Sequence, residues 1–464
     1  MPDTTFYEDD LEQPITPMLK STMKSIDIVS TPGSWNVDDA ATPATTAGET
    51  RLLRPHGNPM GNGQWTGQIE DKPLAVKWTA PHTPGYPPQF VMPAGDRVLL
   101  QCEMIWQLFD DAGKLIAEHG RAEGDLAIDL AAGFVYANTT PGMMARWRLA
   151  DGSDAGRFFC WFGRDFQRSV VGIEADDKVD DGVGVTVASE PLPFLDHHQH
   201  IEPEFGIVET QRIASVDIDQ DDMLKASRSA SLMTRPPMKC IAATPTGWVI
   251  ATDGALYLLD GSLQVVVELR GRIDPIALSV DAGERIHLLS RATAEPSDAN
   301  HDHATSDIAA DDADAPDIKG DRPLYRVITP AGRELLTAPL DLDAAAITTA
   351  PVLATTGEAF VFAGERLVAI NPAGRVVVHD FQPGQTIAGV TATSGRFVLV
   401  TAGRHVVAID AGNHMLEDQS QLKEPPVVRR WDAAHPLVTP AVVGDGSRVY
   451  VAGVEALYCL AAAP

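Results

Sequence analysis

The chain has 464 residues, with 64 acidic against 36 basic side chains and a formal net charge of −28. A surface of that sign repels phosphate backbones and anionic lipid, which excludes nucleic acid as a partner. Hydrophobic residues make up 44% of the sequence, enough for a large core, and no apolar run reaches the roughly 18 residues of a membrane span.

The opening MPDTTFYEDDLEQP has neither the basic nor the apolar region of a secretory signal, so the expected compartment is the cytoplasm. Cys102, Cys160, Cys240 and Cys459 fall one to a repeat, with no CxxC and no close pair. That spacing predicts buried free thiols and argues against a zinc ribbon or a disulfide framework.

Residues 1–53 are rich in Thr, Pro, Asp and Ser and read as a largely irregular extension. Within it, PMLKSTMKSIDIV (17–29) puts Met18, Leu19, Met23 and Ile26 near one helical face. A short helix is expected there, packed on the chain's own body or docked on a partner. The stretch GNPMGNGQWTG (57–67) is glycine-rich but lacks the preceding strand and following helix of a phosphate loop. It reads as a series of turns threading the N-terminus toward the body. LAVKWTA (74–80) is then a single strand standing alone.

Beyond it one pattern recurs: a Gly turn, a short apolar strand, a second turn, another apolar strand, then Asp or Asn and Gly. It is clearest in residues 350–418, where Gly357 matches Gly395 and Ala369-Ile370-Asn371 matches Ala408-Ile409-Asp410 at a repeat of 38 to 39 residues. Further copies start at Gly95, Gly133, Gly247, Gly283 and Gly446, with a weaker one at Gly182. Three β-rich runs per repeat joined by Gly turns make an antiparallel meander, which cannot bury its faces alone and must stack on copies of itself. The predicted fold is therefore all-β, a β-propeller of about eight four-stranded blades, or seven if the Gly182 copy is rejected. The last copy ends one strand short. Leu74 to Ala80 can supply the missing strand and close the ring, which would bury Trp78 between neighbouring blades.

Two longer intervals carry insertions. Residues 292–321 are Asp- and Ala-rich without an aromatic residue and read as a disordered acidic loop. An insertion at about 188–236 contains Asp196, His197, His198, His200, Glu202 and Glu204. In an extended strand His198 and His200 share a face, so His198, His200, Asp196 and Glu202 form the candidate metal set for a divalent transition metal such as zinc, copper or iron. A solvated polar loop is the competing reading.

The runs ALYLLDG, LVAIN and HVVAID, together with ARWRLADGSDAGRFFCW bearing Asp151, Gly152 and Trp161, resemble the repeat of pyrroloquinoline-quinone-type propellers. The resemblance covers roughly residues 54 to 464 and implies the propeller fold. Its quinoprotein members are usually secreted and carry adjacent cysteines over the cofactor. Neither feature occurs here, so no quinone, catalytic residue or calcium ligand is carried over. The expected role is a noncatalytic cytoplasmic scaffold for protein partners, by analogy with propellers that work beside AAA-type ATPases. The alternative is a metal-binding or enzymatic propeller using residues 196–204.

Overall fold

Strand after strand in this chain is apolar on both faces, which an ordinary half-solvated sheet does not tolerate. Gly247–Thr252, Phe397–Ala402 and His405–Asp410 are buried at every position. Such strands need a neighbouring sheet on each side, so sheets must pack face to face in series. The computed structural model describes residues 24–30, 52–53, 57, 60–70, 72–120, 123–130, 133–140, 143–159, 170–175, 183–188, 211–218, 224–232, 238–244, 246–260, 265–291, 322–411 and 427–463.

The described strands form eight sheets, numbered here in chain order, and the fold is a β-propeller. Sheet 1 is Pro88–Ala94, Arg97–Cys102, Ile105–Asp110 and Leu115–Gly120. Sheet 2 runs from Glu123–Asp129 to Asp154–Phe159, sheet 3 from Val170–Ala175 to Leu224–Leu232, and sheet 4 from Met238–Thr244 to Val265–Arg270. Sheet 5 runs from Pro275–Val280 to Arg333–Pro339, sheet 6 from Val352–Leu353 to Val376–Asp380, and sheet 7 from Ile387–Ala392 to Val427–Asp432. Sheet 8 takes Val442–Gly444, Arg448–Ala452 and Ala456–Ala462 from the C-terminus and Leu74–Pro81 as its fourth strand. That last pairing is antiparallel, with Cys459 opposite Trp78 and Leu457 opposite Ala80.

Each described glycine marker of the repeat stands at the turn into the second strand of one sheet, from Gly95 in sheet 1 to Gly446 in sheet 8, and Gly182 lies outside the described residues. Core clusters lie between neighbouring sheets: Phe360, Leu367, Val398 and Ile409 join sheets 6 and 7, and Leu399, Val406, Val451 and Leu460 join sheets 7 and 8. The cluster of Trp106, Leu99, Trp147 and Leu457 spans sheets 8, 1 and 2. The leading strands of sheets 8 and 1 also pack side by side.

Four expectations change. Lys24–Asp27 and Val29–Ser30 are strands, not the end of a helix over 17–29. They pair in parallel with the outer strands of sheets 4 and 5. The reason is the open backbone edge: Ile28 donates to the Arg270 carbonyl at 2.8 Å and Val29 to that of Gly332 at 3.0 Å. Ile26 and Ile28, two apart, both pack on the core between those sheets, a period that only a strand satisfies. Secondly, the insertion at 188–236 shortens, because Gln211–Ile218 and Leu224–Leu232 are regular strands of sheet 3. Their alternating small and polar residues hid them. Thirdly, Trp78 is half-buried, since as an edge-strand residue it is covered on one side only, by Tyr450 at 6.0 Å and by the turn at Gly113. Lastly, Cys102 and Cys459 are buried free thiols but Cys240 is only partly covered. Cys160 and the acidic loop 292–321 lie outside the described residues.

Candidate functional site

The sequence-derived metal set, Asp196, His198, His200 and Glu202, lies outside the described residues. Among the described residues no group of three or more His, Cys, Asp and Glu is placed to hold a metal. The structure instead builds its most site-like feature from the leading strands and the glycine-rich segment before them.

Residues 60–67 run along the C-terminal ends of successive leading strands. Val280 of sheet 5 donates its N–H to the Met60 carbonyl at 3.0 Å, and Leu353 of sheet 6 donates to Asn62 at 2.8 Å. In sheet 7, Ala392 donates to the Gly63 carbonyl at 3.0 Å and accepts from the Trp65 N–H at 2.9 Å. The amides of Asn62 and Gln64 add bonds to the carbonyls of Val280 and Leu353 at 3.2 and 2.9 Å. The strand ends thus spend their free backbone groups on the segment. Glycine is required for this approach: Gly63 has φ +69°, and a Cβ there would lie 2.8 Å from the Val352 side chain.

The segment floors a cavity of about 610 Å³. Its walls come from sheets 1, 6 and 7 and from the segment leading into sheet 8, through residues that include Phe90, Val352, Phe362, Val390 and Val438. Trp65 lies in the lining with 3% of its surface exposed, and its indole Nε1 has no hydrogen-bond partner among the described residues. Two other polar lining groups are already engaged: Gln101 Oε1 accepts from the Leu126 N–H at 3.2 Å, and the Thr391 hydroxyl donates to the Ala441 carbonyl.

Glu103 is the one charged residue of this lining among the described residues. It sits in the turn between Arg97–Cys102 and Ile105–Asp110, where its backbone N–H donates to the Pro87 carbonyl at 3.1 Å. Three exposed apolar side chains stand close to lining residues along the chain or by a backbone bond: Met104 follows Glu103, Tyr86 stands two residues before the lining Pro88, and Val454 donates its N–H to Pro436, two residues before the lining Val438.

A second polar cluster lies in sheet 5. Asp281 Oδ2 accepts from Arg285 Nε at 2.6 Å and from His287 Nε2 at 3.1 Å, and His287 Nδ1 is 2.6 Å from the Tyr325 hydroxyl. Burial disfavours the Asp281 carboxylate, yet His287 and Arg285 overcome it and hold its pKa at about 2. Burial drives the Tyr325 hydroxyl well above the usual phenol range. His287 and Tyr325 are each 1% exposed and neither lines the cavity, so this chain of bonds fixes the fold.

Sequence reasoning passed over both Trp65 and Glu103. The glycine pattern around Trp65 did signal a threaded segment; nothing marks Glu103, which is one turn carboxylate among many.

No protein-family model and no curated protein matches the chain. Among solved structures it is similar to BamB from Moraxella catarrhalis, at 12% identity over 84% of this chain and 99% of that one, with a TM-score of 0.50. It is also similar to the Dos1 propeller, at 11% identity over 84% of this chain and 95% of that one, with a TM-score of 0.50. A europium-containing methanol dehydrogenase aligns at 10% identity over 88% and 97%, with a TM-score of 0.46. The first two likenesses show the fold, a β-propeller. At such identities they show nothing of activity.

Proposed function

We propose that the chain is a noncatalytic interaction scaffold that receives a protein partner at the mouth of this cavity. The observation that carries this reading is the juxtaposition of the cavity with exposed Tyr86, Met104 and Val454 on the turns leading into its lining. Exposed apolar groups beside a concavity cost solvation in the free protein, and that cost is recovered when a partner covers them. The cytoplasm is the compartment expected from the sequence, and an assembly associated with an ATPase is the setting suggested by fold-level analogy. No helix among the described residues is long and apolar enough to cross a membrane.

The test places a photo-crosslinking amino acid at position 104 in the source cell, with position 115 on the outer strand of sheet 1 as control. A discrete adduct at 104 that disappears when Tyr86→Ser and Val454→Ser are added supports the reading. Equal adducts at both positions, or none at 104, would sink it. The alternative at Asp196, His198, His200 and Glu202 is decided separately by metal analysis of the purified full chain. Stoichiometric zinc, iron or copper would favour it.

A further inference from the structure

Residues 24–30 lie outside the repeat, yet they are seated on it. We infer that the outer edges of sheets 4 and 5 form a docking site for an extended peptide, which residues 24–30 fill in cis and which a partner protein's segment of the same pattern fills in trans. None of the cavity lining belongs to this site, so it stands apart from the reading of the cavity mouth.

Sheets 4 and 5 are complete without the added strands. Each already holds four antiparallel strands, the number that makes up the whole of sheets 1, 3, 6, 7 and 8 among the described residues. Lys24–Asp27 and Val29–Ser30 join as a fifth strand on the outer edge, and they run parallel to their neighbours. An extended peptide joins an open sheet edge in this way, its backbone giving affinity and its alternate side chains giving specificity. Ser25 and Asp27 pair in register with Glu268 and Arg270, and the Ser25 hydroxyl donates to Glu268 Oε2 at 2.8 Å. Ile26 and Ile28 turn the other way, onto the core between the two sheets.

Glycine makes the space those isoleucines enter. A Cβ at Gly332 would lie 2.9 Å from Ile26, and one at Gly271 would lie 3.2 Å from Ile28. The corresponding turn glycines of sheets 1, 2 and 6 are Gly113, Gly152 and Gly374, and each is covered by a side chain from the outer strand of the preceding sheet. At Gly332 the nearest cover is Ile26, with Leu269 of sheet 4 behind it at 3.3 Å. The ring thus keeps a pocket at this junction that it does not close by itself.

The hold on the segment is shallow. Ile26 and Ile28 are only half-buried, and Val29 is 61% exposed. An edge strand with so few buried contacts opens without global unfolding. The pattern a ligand must match is hydroxyl, aliphatic, acid, aliphatic. A second copy of this chain carries it, but two bodies at −28 repel each other, which favours a different protein.

The test uses the full chain and a fluorescein-labelled peptide of residues 22–32, TMKSIDIVSTP, read by anisotropy. In the parent the tethered segment competes at an effective concentration of about millimolar. Ile26→Asp with Ile28→Asp in the full chain is expected to free the site and tighten peptide binding about tenfold or more. Adding Gly271→Leu to that variant should abolish binding, as should the same two aspartates in the peptide. Should the freed variant fail to fold, a protease site inserted after Ala40 of the parent reads the same exchange: once cut, residues 1–40 should leave on dilution, and to a greater extent in excess peptide. No binding to the freed variant, equal binding to parent and freed chains, binding that survives Gly271→Leu, or a cut fragment that stays bound in excess peptide would overturn the inference. A parent that is dimeric by light scattering, and monomeric after the Ile26→Asp and Ile28→Asp changes, would give the site to a second copy and overturn the assignment to a partner.

Discussion

Sheet 5 and sheet 1 both place a carboxylate in a turn beside the ring's interior, and they use it in opposite ways. Asp281 of sheet 5 is saturated: its Oδ1 accepts from the N–H groups of Gly283 and Arg285 at 2.9 Å each, and its Oδ2 takes Arg285 Nε and His287 Nε2. Glu103 of sheet 1 lends only its backbone to the fold and leaves its carboxylate at a cavity mouth. The difference separates a charge that builds the molecule from one left to meet something else. Burial alone would not make the separation; the completeness of each group's hydrogen bonding does.

The largest effect expected from breaking this comparison is on the sheet 5 side. Asp281→Ala strips a turn of its cap and leaves the buried Arg285 guanidinium without its carboxylate, at a cost of about 3 to 5 kcal/mol. Denaturant unfolding of the variant and the parent, with slopes compared as well as midpoints, checks it. A loss under about 1 kcal/mol would mean that the network is ornamental.

The same network predicts a pH dependence whose sign follows from linkage. Asp281 has a folded pKa of about 2, against an ordinary value of 3.8. A depressed carboxyl stabilises the fold above its unfolded pKa, and that contribution is lost as pH falls from about 4 toward 2. The span corresponds to about 2 kcal/mol. The stability gap between parent and Asp281→Asn should therefore narrow between pH 5 and pH 3. A gap that stays constant would contradict the assignment.

Trp78 gives an intermediate case at the joint between sheets 8 and 1. Its indole donates to the Asp111 carbonyl at 2.9 Å, and Arg448 of sheet 8 lies 3.6 Å from the Asp111 carboxylate. Because the ring is half-buried, Trp78→Ala should cost about 2 kcal/mol, below the roughly 3 to 5 expected for a fully buried aromatic. Thermal unfolding of this variant should remain a single transition, since the backbone pairing of Leu74–Pro81 with Ala456–Ala462 does not depend on the side chain.

Much of this architecture is legible in the sequence because the repeat is local. Phe360-Val361 and Val398-Leu399 announce middle strands by being apolar at consecutive positions, and the Gly turns between them set the spacing. The pairing of Leu74–Pro81 with the C-terminal sheet is legible for a related reason: an incomplete last repeat needs a strand, and one stands spare. Lys24–Asp27 is not, because what makes it a strand is an edge at Val267 and Leu269, more than two hundred residues away. Its local pattern fits a helix as well. Trp65 was legible as part of a threaded segment but not as a cavity floor, since its role depends on the ends of three sheets meeting there. Asp196, His198, His200 and Glu202 stand where the sequence left them, outside the described residues.

The smallest expected stability effect belongs to Glu103, and it tests the comparison most sharply. Glu103→Gln removes a charge that forms no ion pair with the described residues and keeps the backbone bond to Pro87, so unfolding free energy should stay within about 0.5 kcal/mol of the parent. Removing one negative charge from a chain at −28 even relieves a little self-repulsion, which favours a change of zero or slightly positive sign. Asp281→Asn, an equally small chemical edit, should by contrast be clearly destabilising, because each carboxylate oxygen accepts two bonds and the amide nitrogen must donate wherever it replaces one of them. Differential scanning calorimetry of the two variants side by side reads the contrast. If Glu103→Gln destabilised as much as Asp281→Asn, its carboxylate would be structural, and the contrast between the two turns would not hold.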